Sequence, residues 1–164
     1  MENINIAAVL ARWIHFMAGV MWIGLLYYFN FVQMAALKSA AADGSAAAIN
    51  RHVTPRALAW FRWASVATWL TGAALLGRDF TAAFTFRPGH FAIGVGAWLG
   101  TILLINVWAL LWPAQKVALG LVEASDAQRN AARRRAFIVS RVNLALSFPL
   151  LFFMGAAGHS AAYF

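Results

Sequence analysis

The side chains with the most distinctive chemistry in this sequence are its four histidines. His15 lies one helical turn beyond Arg12 in a long apolar stretch, His90 and His159 lie near the ends of two other such stretches, and His52 lies in a polar connection. Neutral imidazole is a good ligand for iron, zinc and copper, and two imidazoles from facing helices provide the axial ligands of a b-type haem. If three of these side chains converge, the sequence predicts a haem b or metal site.

A haem also needs space for its flat ring and partners for its propionates. Small residues and a tryptophan lie one or two helical turns from His15 and His159, where they would flank a macrocycle held between helices. An arginine at the rim could pair with the propionates. The candidate site consists of His15, His159 and His90 as metal ligands, with Trp22, Gly19, Gly155 and Arg12 as cofactor contacts.

Zinc or copper is the alternative occupant, because either metal suits three imidazoles. A hydrolytic metal site is disfavoured, since the apolar stretches contain no aspartate or glutamate that could act as a base. The chain contains no cysteine, which excludes disulfides, cysteine-ligated zinc, iron–sulfur clusters and covalently attached c-type haem.

A second set of polar side chains lies toward the ends of the apolar stretches that are opposite to His15, His90 and His159. Within a membrane, asparagine usually hydrogen-bonds to a neighbouring helix, and an arginine without an acidic partner usually extends to the interface. A quinone or substrate pocket is the alternative interpretation of this set. Its members are Asn30, Gln33, Arg62, Asn106, Arg141 and Asn143.

The elements that position these residues are predicted to be membrane-spanning helices. Hydrophobic residues make up 63% of the chain and charged residues only 11%, too few to cover the surface of a water-soluble domain. A spanning helix needs about 20 mainly apolar residues. We therefore predict an all-α fold, an integral membrane four-helix bundle that forms a single membrane domain over residues 1–164. The spans are residues 6–37, 56–77, 89–112 and 136–161, and the connections 38–55 and 113–135 are cytoplasmic.

Local signals mark the ends of these helices. Thr54 and Pro55 form an N-cap followed by proline at the first helical position, which predicts the start of the second helix. Ser125 and Gln128 form a capping-box pattern, so the fourth helix is predicted to begin in water ahead of the membrane. Pro113 predicts either the end of the third helix or a kink in it.

The basic residues predict the orientation in the membrane. Ten lysines and arginines lie in or beside the first and third connections, whereas only Arg12, Arg78 and Arg87 lie on the opposite side. The positive-inside rule then places both termini and the second connection in the periplasm of a bacterial inner membrane. The net charge of +8 is thereby explained without nucleic acid as a partner. Because no cationic segment precedes the first span, we expect that span not to be a cleaved signal peptide.

Five stretches carry a resemblance to a known family. Residues 12–24, 28–33, 106–116, 140–143 and 147–159 read RWIHFMAGVMWIG, YFNFVQ, NVWALLWPAQK, SRVN and SFPLLFFMGAAGH. In these stretches the chain resembles the membrane domain of bacterial PuuD-type urate hydroxylases, in the short stand-alone form that lacks the cytochrome c domain. A looser similarity to HemJ-type protoporphyrinogen oxidases rests on His15, Trp22 and the adjacent Tyr27 and Tyr28.

The histidines and the resemblance together lead us to expect a haem b membrane protein that transfers electrons, with a periplasmic cytochrome c or a larger membrane complex as its partner. A membrane redox enzyme acting on urate or a porphyrinogen is the second expectation. A non-catalytic accessory subunit of a respiratory or photosynthetic complex is the third. Small residues spaced four apart, such as Gly96 and Gly100, predict close packing of helices, either within the chain or in a homo-oligomer.

Overall fold

The computed structural model describes residues 5–158, and this part of the chain consists of helices and their connections without any strand. This confirms the prediction of an all-α fold. The long helices are α1 (Ile6–Ala40), α2 (Thr54–Leu76), α3 (Phe91–Ala118) and α4 (Asp126–Ala157).

Short helical segments connect the long helices. Ala46–Ala48 and a π-helical turn at Ile49–Val53 lead into α2, and a 3₁₀ turn at Gly77–Asp79 and a short helix at Phe80–Phe84 follow it. In the connection after α1, the hydroxyl and backbone N–H of Ser45 donate to Asp43 Oδ1 at 2.6 and 2.9 Å. These hydrogen bonds hold the pKa of the Asp43 carboxyl below its ordinary value.

Within residues 5–158, three helices are long and apolar enough to cross a membrane, namely α1, α3 and α4. The chain therefore has the make-up of a multi-pass membrane protein, as predicted. Helix α2 is also long enough, at 23 residues or about 34 Å, but it carries Arg56 and Arg62 and falls short in apolar character. The fourth predicted span and the location of the termini stay predictions.

Neighbouring long helices run antiparallel. Helix α1 packs mainly on α2, and α3 packs mainly on α4. Contacts between His15 and Thr68 near one end of the first pair, and between Gln33 and Thr54 near the other, fix its direction. In the second pair, a Cβ atom on Gly96 would lie 3.0 Å from the methyl carbon of Met154, so this glycine permits close approach within the chain.

The core lies where all four helices meet, and large apolar side chains fill it. Trp22, Leu26, Phe61, Leu103 and Val107 are at most 2% exposed. Many other large apolar side chains point outward. In water such a surface would be highly unfavourable, whereas acyl chains of a bilayer are a suitable solvent for it.

The outward-facing surface is largest on the first half of α1. In residues 6–21 only a narrow strip is partly covered, and it faces α2. On the remaining sides Trp13, Phe16 and Val20 are 61–69% exposed. Among residues 5–158, this half of α1 is thus partly covered only along the strip that faces α2.

Two of the long helices contain a π-helical segment. The segments are Tyr28–Gln33 in α1 and Asn106–Leu111 in α3. Helix α3 continues through Pro113 to Ala118 rather than ending there. Proline cannot donate a hydrogen bond to the preceding turn, and the wider π-helical segment just before it accommodates that loss.

The helix starts match the predicted signals in part. The capping box at Ser125 and Gln128 is present in both directions, which confirms the predicted start of α4. Thr54, by contrast, is the first residue of α2 and not its cap. Its hydroxyl accepts a hydrogen bond from Gln33 Nε2 of α1 at 3.0 Å instead of capping the first turn of α2.

Candidate functional site

The His15 side chain is oriented by α2. Its Nδ1 lies 2.8 Å from the backbone oxygen of Thr68 and 3.3 Å from the hydroxyl oxygen of Thr71. Because a carbonyl oxygen only accepts, Nδ1 carries the proton and donates it to Thr68. In the neutral ring Nε2 then keeps its lone pair, and it has no hydrogen-bond partner among residues 5–158. Metal-ligating histidines commonly hold their other nitrogen in this way.

Gly72 provides the space for this ring. A Cβ atom at this position would lie 2.9 Å from His15 Cε1 and 3.3 Å from Nδ1, closer than real contacts allow. The imidazole therefore lies against the bare backbone of α2. The sequence did not predict that Thr68, Thr71 and Gly72 contact His15. Thr68 and Gly72 are small residues spaced four apart, and this spacing is a signal that α1 and α2 approach closely here.

His90 lies at the N-cap position of α3, near the surface. Its Nδ1 lies 3.1 Å from the backbone oxygen of Pro88, and its Nε2 lies 3.8 Å from Asp79 Oδ1. The side chain is 31% exposed and that of Asp79 is 69% exposed. In this conformation the second nitrogen of His90 faces a carboxylate rather than an open position.

The two described candidate ligands share one end of the helices but face different neighbours. His15 faces α2, whereas His90 faces the connection that follows α2. No group of three or more metal-binding side chains occurs among residues 5–158. His159 lies outside these residues, so the convergence of three histidines stays a prediction. His52 is exposed in the connection at the other end of α2.

The remaining candidate residues lie in different surroundings. Trp22 is 2% exposed, and its indole N–H has no acceptor in the described part of the chain. Gly19 lies beside α2, where a Cβ atom would be 3.8 Å from Thr68 Cγ2. Gly155 and Arg12 are both exposed.

The imidazole of His15 is suited to provide one ligand to a haem iron. His15 offers a neutral imidazole whose protonated nitrogen is fixed and whose other nitrogen is free to bind iron. Gly19 and Gly72 let α1 and α2 approach closely beside His15. The second ligand would come from His90 or His159.

No protein-family model, curated protein or solved structure matches this chain. The resemblance to urate hydroxylase membrane domains therefore stays a prediction based on five stretches of sequence. The structure places residues 12–24 and 28–33 on α1, residues 106–116 on α3, and residues 140–143 and 147–157 on α4.

Several of these stretches meet in a layer of buried polar contacts between the helices. Asn30 Nδ2 donates to Ser140 Oγ at 2.9 Å, which links α1 to α4. Asn106 Nδ2 donates to Asn143 Oδ1 at 2.8 Å, which links α3 to α4. Asn143 is only 1% exposed. The interpretation of these asparagines as hydrogen-bonding partners of neighbouring helices is confirmed.

Proposed function

We propose that this chain is a haem b protein of the bacterial inner membrane that transfers electrons, with His15 as one axial ligand. The observation that supports the proposal most strongly is the hydrogen bond from His15 Nδ1 to the Thr68 carbonyl, which leaves Nε2 free. An intramembrane histidine held in this way is costly to maintain without a ligand and is a functional candidate for that reason.

Each residue around His15 has a distinct part in this proposal. Haem would supply a one-electron redox couple. The Thr68 carbonyl fixes the tautomer and orientation of the imidazole and raises its basicity as a ligand. Gly72 admits the ring to the helix interface. His90 or His159 would provide the second protein ligand.

The proposed arrangement in the membrane is a four-helix bundle with both termini in the periplasm. Helix α2 lies beside α1 from the His15–Thr68 contact to the Gln33–Thr54 contact, so it shares the depth of a helix that is apolar enough to span. The distribution of basic residues supports this orientation. His15 then lies in the periplasmic half, where a cytochrome c or a larger membrane complex could exchange electrons with it.

An absorption spectrum of the purified protein tests the haem. With adequate haem supply during expression, the wild type is expected to show a Soret band and, after reduction with dithionite, a sharp α-band. His15→Ala should lose most of the bound haem, measured as the pyridine haemochrome. His52→Ala is the matched control, because His52 is exposed in a connection, and it should keep the haem. A colourless wild-type protein would refute the proposal.

A membrane redox enzyme acting on urate or a porphyrinogen uses the same site and is distinguished by turnover. Oxidation of either compound by the haem-loaded protein, abolished by His15→Ala, would favour the enzyme over simple electron transfer. Co-purification with subunits of a membrane complex, without turnover, would favour the accessory role.

A further inference from the structure

Two cationic side chains share one indole ring at the interface between α2 and α3. The guanidinium carbon of Arg62 lies 3.5 Å from the centroid of the Trp112 ring, and Lys116 Nζ lies 5.7 Å from the same centroid. All three residues are partly buried. The sequence predicts that Arg62 extends to the interface as an isolated charge, whereas in the structure it lies over a ring beside a second cation.

Arg62 has no anionic partner within the described residues. Its Nη1 is buried and makes no hydrogen bond there, and it forms no ion pair. The acidic residues in this part of the chain lie in connections or at the first position of α4, and they are Asp43, Asp79, Glu123 and Asp126. A guanidinium N–H removed from water without an acceptor is unfavourable, and two neighbouring cations repel each other. An anion bound from outside the chain would relieve both costs.

The same interface contains a further unpaired donor. Trp108 lies one helical turn before Trp112, and its indole N–H is buried without an acceptor in residues 5–158. Its ring packs edge-on against Trp63 at a centroid distance of 5.5 Å. An arginine, a lysine and an indole N–H along one interface are suited to the oxygens of a phosphate group.

The depth of this cluster suits a lipid headgroup. Arg62 lies eight residues after the first residue of α2, about 12 Å along the helix axis, and Lys116 lies two residues before the end of α3. Both positions are in the half of the bundle that is nearer to the contact between Gln33 and Thr54. Tryptophan is enriched at this level of a membrane, where headgroups meet the acyl chains.

We propose that Arg62, Lys116 and Trp112 form a binding site for the phosphate group of an anionic phospholipid, at the end of the bundle opposite to His15. The site is separate from the proposed haem site and stands without it. Arg62 contacts the phosphate oxygens, Lys116 adds a second positive charge, and the Trp112 ring holds both cations in place.

Native mass spectrometry of the full-length protein tests this site. The purified protein is incubated in mixed micelles with equal amounts of phosphatidylglycerol and phosphatidylcholine of identical acyl chains. We expect the wild type to retain phosphatidylglycerol preferentially. Arg62→Gln and Lys116→Gln should each weaken this preference by about tenfold, the effect of losing one charge-assisted contact. Arg62→Lys keeps the charge and should retain part of the preference.

Arg141→Gln is the matched control. Arg141 also lies over an aromatic ring, with its guanidinium carbon 5.3 Å from the centroid of Phe137, but it is exposed. Its replacement should leave the lipid preference unchanged. Circular dichroism of each variant establishes that the helices are intact.

Soluble phosphate distinguishes the source of the ligand. At constant ionic strength, stabilisation of the wild type by inorganic phosphate but not by phosphatidylglycerol would overturn the lipid as the ligand. Equal retention of the two lipids by the wild type would also overturn the proposal. A stoichiometric quinone that is lost in Arg62→Gln would overturn it in favour of a quinone site.

Discussion

The imidazole of His15 depends on a glycine one helix away. Gly72 leaves the space that the Cε1 edge of the ring occupies, and the Thr68 carbonyl one turn earlier holds Nδ1. The sequence predicts His15 as a candidate ligand from its type and its place in an apolar stretch. Its hydrogen-bond partner is a backbone oxygen, which has no sequence signature, and therefore the tautomer could not be predicted.

Gly72→Ala is expected to destabilise the protein by about 1–3 kcal/mol, the cost of overpacking a filled interface. The added methyl group would displace the His15 ring and should also reduce haem content. Gly24→Ala is the control, because a Cβ atom there meets nothing within 4 Å and alanine favours the helix. Thermal unfolding in detergent, followed by circular dichroism, measures both. Equal stability of the two variants would show that the Gly72 contact is unimportant.

At the scale of elements, two asparagines that lie in π-helical segments make contacts across the helix interfaces. Asn30 and Asn106 each lie in such a segment, and each donates to a side chain of α4. The extra residue of a π turn shifts the following side chains around the helix axis. The periodicity of apolar residues does not reveal this shift. The sequence therefore predicted that these asparagines bond to neighbouring helices, but not which side chains accept their hydrogen bonds.

The contact between Asn106 and Asn143 is expected to stabilise the α3–α4 pair by about 0.6 kcal/mol and by no more than about 1.7 kcal/mol, the average and the maximum that double-mutant cycles give for interhelical hydrogen bonds in a membrane. A double-mutant cycle with Asn106→Leu, Asn143→Leu and the double variant isolates this coupling. Reversible unfolding in mixed micelles provides the free energies. If the free-energy changes of the two single variants add up to that of the double variant, the two amides contribute independently of each other.

Cysteine labelling tests the arrangement of the whole molecule. The chain has no native cysteine, so Asp43→Cys and Arg87→Cys each introduce a unique thiol into the first and second connections. An impermeant maleimide added to intact spheroplasts should label the cysteine at position 87. The cysteine at position 43 should react only after permeabilisation. Labelling of both from the same side would exclude the predicted topology and show that α2 does not span.

At this scale the sequence predicted the positions of the helices more accurately than their depth in the membrane. Long apolar runs are sufficient to locate α1, α3 and α4, because a bilayer demands them. Helix α2 was also located, but its arginines make its apolar character intermediate. Its depth depends on how Arg62 is covered by Trp112, which is a tertiary contact that no local pattern predicts.

The narrow strip by which the first half of α1 touches α2 has a consequence for access to His15. Within the described residues 5–158, the flank beside this histidine is open on the sides where Trp13 and Phe16 point outward. In a bilayer this flank is bathed by hydrocarbon, and a molecule dissolved among the acyl chains can approach it sideways. Oxygen, carbon monoxide or a lipid-soluble reductant would thus arrive by lateral diffusion, without passing through an aqueous channel.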